Sequence, residues 1–123
     1  EKVKEIQLGA YHSCALMESG RLKCWGRASN GQLALGDSNQ MGDQAGEMGE
    51  TLPYTRLGKA GVLFFGVGQY SNCVGLDNGY IKCWGYGGDG QLGYENRLTM
   101  GTRPEQVGAD LPILDFAQIL SFD

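Results

Sequence analysis

Cys24-Trp25-Gly26 and Cys83-Trp84-Gly85 are one tripeptide written 59 positions apart (83 minus 24), and that single offset carries much of the chain onto itself without a gap. Val3 meets Val62, Gly9 meets Gly68, Tyr11 meets Tyr70, Cys14 meets Cys73 and Gly20 meets Gly79. Further on, Gly31-Gln32-Leu33 meets Gly90-Gln91-Leu92, and Leu52-Pro53 meets Leu111-Pro112. Self-similarity at a period of tens of residues is the signature of a propeller, solenoid or array. The chain divides into repeat 1 (residues 1–59), repeat 2 (60–117) and the opening of a third pattern (118–123).

Each copy contains a hairpin. Ser13-Cys14-Ala15-Leu16 runs into the turn Glu18-Ser19-Gly20 and returns as Arg21-Leu22-Lys23-Cys24-Trp25; the second copy turns through Asp77-Asn78-Gly79. Glycine supplies the positive φ such turns need, and the flanks are strand formers. Centring the turn on Ser19 sets Cys14 opposite Cys24, and the same rule sets Cys73 opposite Cys83. Facing cysteines at a non-hydrogen-bonded pair suit a disulfide. Buried thiols and a two-pair zinc site remain the alternatives, although the knuckle spacing of structural zinc sites is missing. One bridge per copy would contribute on the order of 2–3 kcal/mol and would imply an oxidising compartment, extracellular or at a cell surface.

A further strand precedes each hairpin, Val3 to Leu8 and Val62 to Val67. A long polar excursion follows each, residues 27–50 and 86–109, and closes on a run read as a fourth strand, Leu52 to Leu57 and Leu111 to Phe116. The expected fold class is all-β: two tandem four-stranded antiparallel β-propeller-type blades, incomplete as a closed ring. Twenty-one glycines against three prolines, in 123 residues that are 41% hydrophobic and 20% charged, agree with short strands and tight turns.

These motifs resemble the repeat of the regulator of chromosome condensation family. Its strand ending in glycine, its His-Ser/Thr-x-Ala-Leu stretch, its Trp-Gly and its Gly-Gln-Leu-Gly correspond to Gly9 to Leu16, Trp25-Gly26 and Gly31-Gln32-Leu33. The second copy answers with Gly68 to Cys73, Trp84-Gly85 and Gly90-Gln91-Leu92-Gly93. The cysteines, and the segment from Gly46 to Pro53, look like a secreted branch of that family. His12 becomes Ser71, Leu16 aligns with Gly75, and Ala34 replaces the last motif glycine. The resemblance implies the blade fold. It does not carry over the founding member's nucleotide-exchange activity on a small GTPase, the weakest reading.

The formal net charge of −4 disfavours a nucleic-acid partner. No apolar run is long enough to span a membrane. A first residue other than methionine fits a mature or excised segment. The single histidine, His12, has Ser71 as its counterpart, so no repeated catalytic site rests on it; the expectation is a hydrogen-bonded strand residue and no enzyme. Asp37 to Asp43 only faintly echoes a calcium loop, because Met41 sits where an oxygen ligand belongs. No cofactor and no metal site is expected. Trp25 and Trp84 are expected to pack between neighbouring sheets.

Val3, Ile6 and Leu8 at one end, and Ile113, Leu114, Phe116, Ile119, Leu120 and Phe122 at the other, form an expected apolar assembly edge. The expected function is a non-enzymatic extracellular scaffold that joins neighbouring blades, either copies of itself or parts of a longer chain, into a ring or filament. The alternative is a fragment of a larger propeller that binds a protein partner through loops 27–50 and 86–109.

Overall fold

A computed structural model describes residues 1–94 and 96–114. Among these residues six strands form two three-stranded antiparallel sheets: β1 (Val3–Leu8), β2 (His12–Met17) and β3 (Leu22–Gly26), then β4 (Val62–Val67), β5 (Ser71–Leu76) and β6 (Ile81–Gly85). Each sheet is a meander in sequence order. The glycine turns set the register. Cys14 faces Cys24 and Cys73 faces Cys83, and both first strands carry a bulge at the same place, between Val3 and Glu5 and between Val62 and Phe64.

The fourth strand is corrected. Residues 52–57 form no strand, and among the described residues of the second run only Leu114 makes an isolated bridge, to Ile81. Pro53 and Pro112 bring no N–H to a ladder. Thr55 N donates to Leu22 O at 2.8 Å in a single bond, where Leu114 and Ile81 exchange two, and Arg56 N bonds Ala34 O of a loop at 3.1 Å. The fourth element is therefore a strap rather than a full strand.

One core joins the copies: Cys14, Leu16, Leu22, Leu33 and Leu57 of the first lie in one cluster with Phe65, Val74, Trp84, Leu92 and Leu114 of the second. Leu114 is buried at 3% exposure, so it belongs to the core and not to a free edge. Ile113 stays exposed. Phe116, Ile119, Leu120, Phe122 and the unit 118–123 lie outside the described residues.

Cross-strand partners share a face of a sheet, so each sheet has two distinct sides. Cys14, Leu16, Leu22 and Cys24 of the first sheet share the side that meets the second. Phe65, Val74, Trp84 and Asn72 of the second share the side that meets the first. The sheets stack like blades, trailing side of one on leading side of the next.

Candidate interaction site

The contact between the two sheets uses the loop after β3. In Ala28-Ser29-Asn30-Gly31-Gln32, Gly31 N donates to Ala28 O at 2.9 Å and Asn30 N to Gln32 Oε1 at 2.8 Å, giving a tight turn that presents the Gln32 carbonyl to the next sheet. That carbonyl accepts from the indole Nε1 of Trp84 at 2.9 Å and from Asn72 Nδ2 at 2.8 Å. Trp84 and Gln32 are both fully buried. Gly31, at φ +73°, has no room for a side chain: a Cβ there would stand 2.5 Å from Met100 O. Gly101 answers it, since a Cβ there would stand 2.3 Å from Gly31 O.

Around this contact further polar groups pair across the sheets, while His12 Nδ1 and Gln32 Nε2 are buried without a hydrogen-bond partner among the described residues. His12 Nε2 and Asn72 Oδ1 are 2.8 Å apart, and Gln7 pairs its amide with the β4 backbone, donating to Phe65 O and accepting from Val67 N. Burial pushes the His12 imidazole below its ordinary pKa, and the hydrogen bond to Asn72 offsets this in part. Lys82 donates through Nζ to Leu57 O and to Gly108 O, both at 2.9 Å, so it ties the first strap to a loop of the second copy. Its burial pushes its pKa down, and Asp110 works in the opposite direction. Lys23, the counterpart, donates to Gly49 O at 2.9 Å and lies 4.9 Å from the centre of the Tyr54 ring.

The same residue types are more exposed in the first copy. Ile6, the counterpart of Phe65, is 54% exposed against 6%, and Trp25 is half-buried where Trp84 is fully buried. Val3 and Leu8 are exposed beside Ile6. Two clefts flank Trp25: one of about 240 Å³ lined by Ile6, Ala15, Met17, Met48 and Leu52, and one of about 570 Å³ lined by Tyr11, Arg27, Met41 and Gly42. At the other end of the chain Gly90 and Gln91 are exposed, whereas Gly31 and Gln32 are buried.

A second feature lies where the β1–β2 and β4–β5 turns emerge. Ala10 N donates to Gln69 O at 3.0 Å and holds the turns side by side, so that the rings of Tyr11 and Tyr70 lie 6.3 Å apart. The Arg27 guanidinium sits 5.4 Å above the Tyr11 ring. Sequence reasoning passed over these residues, although Tyr11 and Tyr70 occupy matched positions beside turn glycines. Tyrosine and arginine grouped on a surface suit protein recognition, because the tyrosine ring gives large contact area with few torsions to fix and the guanidinium offers several donors in a planar fork.

The cysteines are bonded in pairs, Cys14 to Cys24 and Cys73 to Cys83, each with Cα atoms 4.1 Å apart, and no described cysteine is free. Among the described residues no cluster of three His, Cys, Asp or Glu side chains could hold a metal ion, and no helix is long and apolar enough to cross a membrane.

Residues 3–32, from β1 through the Gln32 loop, match the regulator of chromosome condensation (RCC1) repeat. The RCC1 domain-containing protein RUG3, mitochondrial, of Arabidopsis thaliana is 31% identical over 91 residues, covering 74% of this chain and 19% of that protein. The serine/threonine-protein kinase Nek9 of Xenopus laevis is 30% identical over 110 residues, 89% of this chain and 10% of the kinase. The chain thus spans from a tenth to a fifth of the length of these relatives. In fold it is similar to the crystal structure of human WBSCR16, with a TM-score of 0.66 at 22% identity over 94% of this chain and 26% of that one.

Proposed function

Because this chain belongs to the regulator of chromosome condensation repeat family, we propose that it acts as a non-enzymatic protein-binding module, two blades of a propeller-type array that recognise a protein partner at one end of their sheets. The observation that carries the reading is the Tyr11–Tyr70 pair with Arg27 above it, exposed where the β1–β2 and β4–β5 turns emerge. Arg27 spends its Nε on Ser29 and, among the described residues, makes no ion pair, so its remaining donors are open to a partner's carboxylate or carbonyl. The long loops 27–50 and 86–109 leave from that same end, since Gly26 and Gly85 pair with His12 and Ser71.

A non-catalytic role is supported by the use already made of the one histidine, which is buried between the sheets on Asn72. The kinase named among the relatives shares with this chain only 10% of its length. Photo-crosslinking tests the reading. A benzophenone amino acid at position 11 or 70 yields discrete adducts with another protein, and one at Asn78, in the turn at the opposite end of the second sheet, yields none. Equal adducts at Asn78, or none at 11 and 70, contradict it.

The two disulfides favour an oxidising location, extracellular or at a cell surface. Alkylation of the native protein without reductant is expected to modify no cysteine; labelling of all four would refute this location.

A further inference from the structure

A further cleft, of about 620 Å³, lies between the two copies at the end of the sheets away from Tyr11 and Tyr70. The β2–β3 turn, the first strap and the residues leading into β4 wall it, and Ser19, Arg21, Tyr54, Thr55, Lys59 and Asp77 line it. We propose that this cleft is a binding site for the free phosphate ion, held between Arg21, Lys59 and Thr55.

Backbone bonds build the cleft. Val62 N donates to Gly20 O at 2.8 Å and Asp77 N to Gly61 O at 2.9 Å, which sews the first turn, the linking residues and the end of β5 together. Gly58, at φ +95°, bends the chain between the strap that carries Thr55 and the segment that carries Lys59, so both reach the same cleft. Thr55 is 8% exposed, and its Oγ1 is buried with no hydrogen-bond partner. An unpaired buried hydroxyl is costly, and one in the wall of a cleft points to a ligand that pairs it. The Arg21 guanidinium is placed 4.8 Å from the centre of the Tyr54 ring, and among the described residues neither Arg21 nor Lys59 makes an ion pair. The rim already favours negative charge. The Tyr54 hydroxyl donates to Glu1 Oε1, and the hydroxyls of Ser19 and Tyr54, helped by the charge of Arg21, hold the Glu1 carboxyl below its ordinary pKa.

The duplication separates this chemistry from the needs of the blade. Fifty-nine positions on, Arg21, Tyr54, Thr55 and Lys59 become Tyr80, Ile113, Leu114 and Gln118. Thr55 and Leu114 hold equivalent places, since Thr55 N donates to Leu22 O and Leu114 N to Ile81 O. Leu114 is buried at 3% exposure, so the position takes an apolar side chain without any hydroxyl. Asp77 sets the choice of anion. Its carboxylate stands beside Gly61, where a Cβ would lie 3.0 Å from Oδ2. A carboxylate repels an oxyanion that has no proton, but accepts a hydrogen bond from a P–OH group. Inorganic phosphate keeps such a proton at neutral pH, whereas sulfate has none and a phosphate monoester, with its second pKa near about 6, has mostly lost it.

Titration of the whole chain with inorganic phosphate, followed by amide NMR at neutral pH and constant ionic strength, tests the site. The amides of Thr55, Lys59 and Gly61 are expected to shift along saturating curves while those of Tyr11 and Tyr70 stay still. Lys59→Gln, which installs the residue of the second copy, and Thr55→Val, which replaces an unpaired hydroxyl by a methyl group, are each expected to weaken binding about tenfold. Sulfate and phenyl phosphate are expected to bind about tenfold more weakly than phosphate, and Asp77→Asn to bring sulfate level with it. Shifts that do not saturate, variants at 55 and 59 that bind as the wild type does, sulfate or phenyl phosphate binding as tightly as phosphate, or an Asp77→Asn chain that still rejects sulfate overturns the proposal. The cross-links at positions 11 and 70 form at the other end of the sheets, so the two readings fail separately.

Discussion

His12 is 3% exposed, its Nε2 is held by Asn72, and its Nδ1 has no hydrogen-bond partner. A second ring proton would find no acceptor, which agrees with the pKa being lowered by burial. A lowered pKa in the folded state means that the unfolded chain takes up the proton first. Stability from this residue is therefore fully present above the ordinary histidine pKa and falls as pH drops through it, levelling once the folded state also protonates. The slope in that window is at most about 1.4 kcal/mol per pH unit. Since the chain has one histidine, urea denaturation of the wild type and of His12→Gln between neutral pH and pH ~5 isolates it. The wild type should lose more stability than the variant as pH falls; equal losses would mean that His12 is solvated.

At the scale of the elements, the glycine turns explain why the same motif has different consequences in the two copies. Gly31 and Gly90 share a left-handed conformation, so Ala at either costs about 1–2 kcal/mol for the backbone alone. Only Gly31 also lies against the facing loop, where an added Cβ would stand 2.5 Å from Met100 O. Thermal or chemical denaturation should find Gly31→Ala the more damaging by at least about 1 kcal/mol, from the overpacking it forces. Equal effects would place the two loops in equal surroundings. The hairpins and the cysteine pairing were legible because turn chemistry fixes register, and register fixes which residues face. The strap was not: Leu52 to Leu57 reads as a strand former in the sequence, yet its buried residues, Leu52, Thr55 and Leu57, do not alternate, and Pro53 brings no N–H to a ladder. The Phe64–Gly75 exchange was equally hidden, since Leu16 matching Gly75 reads as a loss until the opposite strand supplies the ring.

For the molecule as a whole, the repeat period announced stacked units, and the shared core joins the two sheets through Trp84, Phe65 and Gln32. Sequence alone gives Trp25 and Trp84 the same role. Their difference lies in what the described residues place against them: the Gln32 loop covers Trp84, and no matching loop among the described residues covers Trp25. Single-tryptophan variants separate them, Trp25→Phe leaving Trp84 and Trp84→Phe leaving Trp25, each measured by acrylamide quenching in dilute solution. Trp84 is predicted to emit at shorter wavelength and to resist quenching, and Trp25 to be quenched readily. Equal, ready quenching of both would mean that the two sheets do not stack, and would contradict the account at its base.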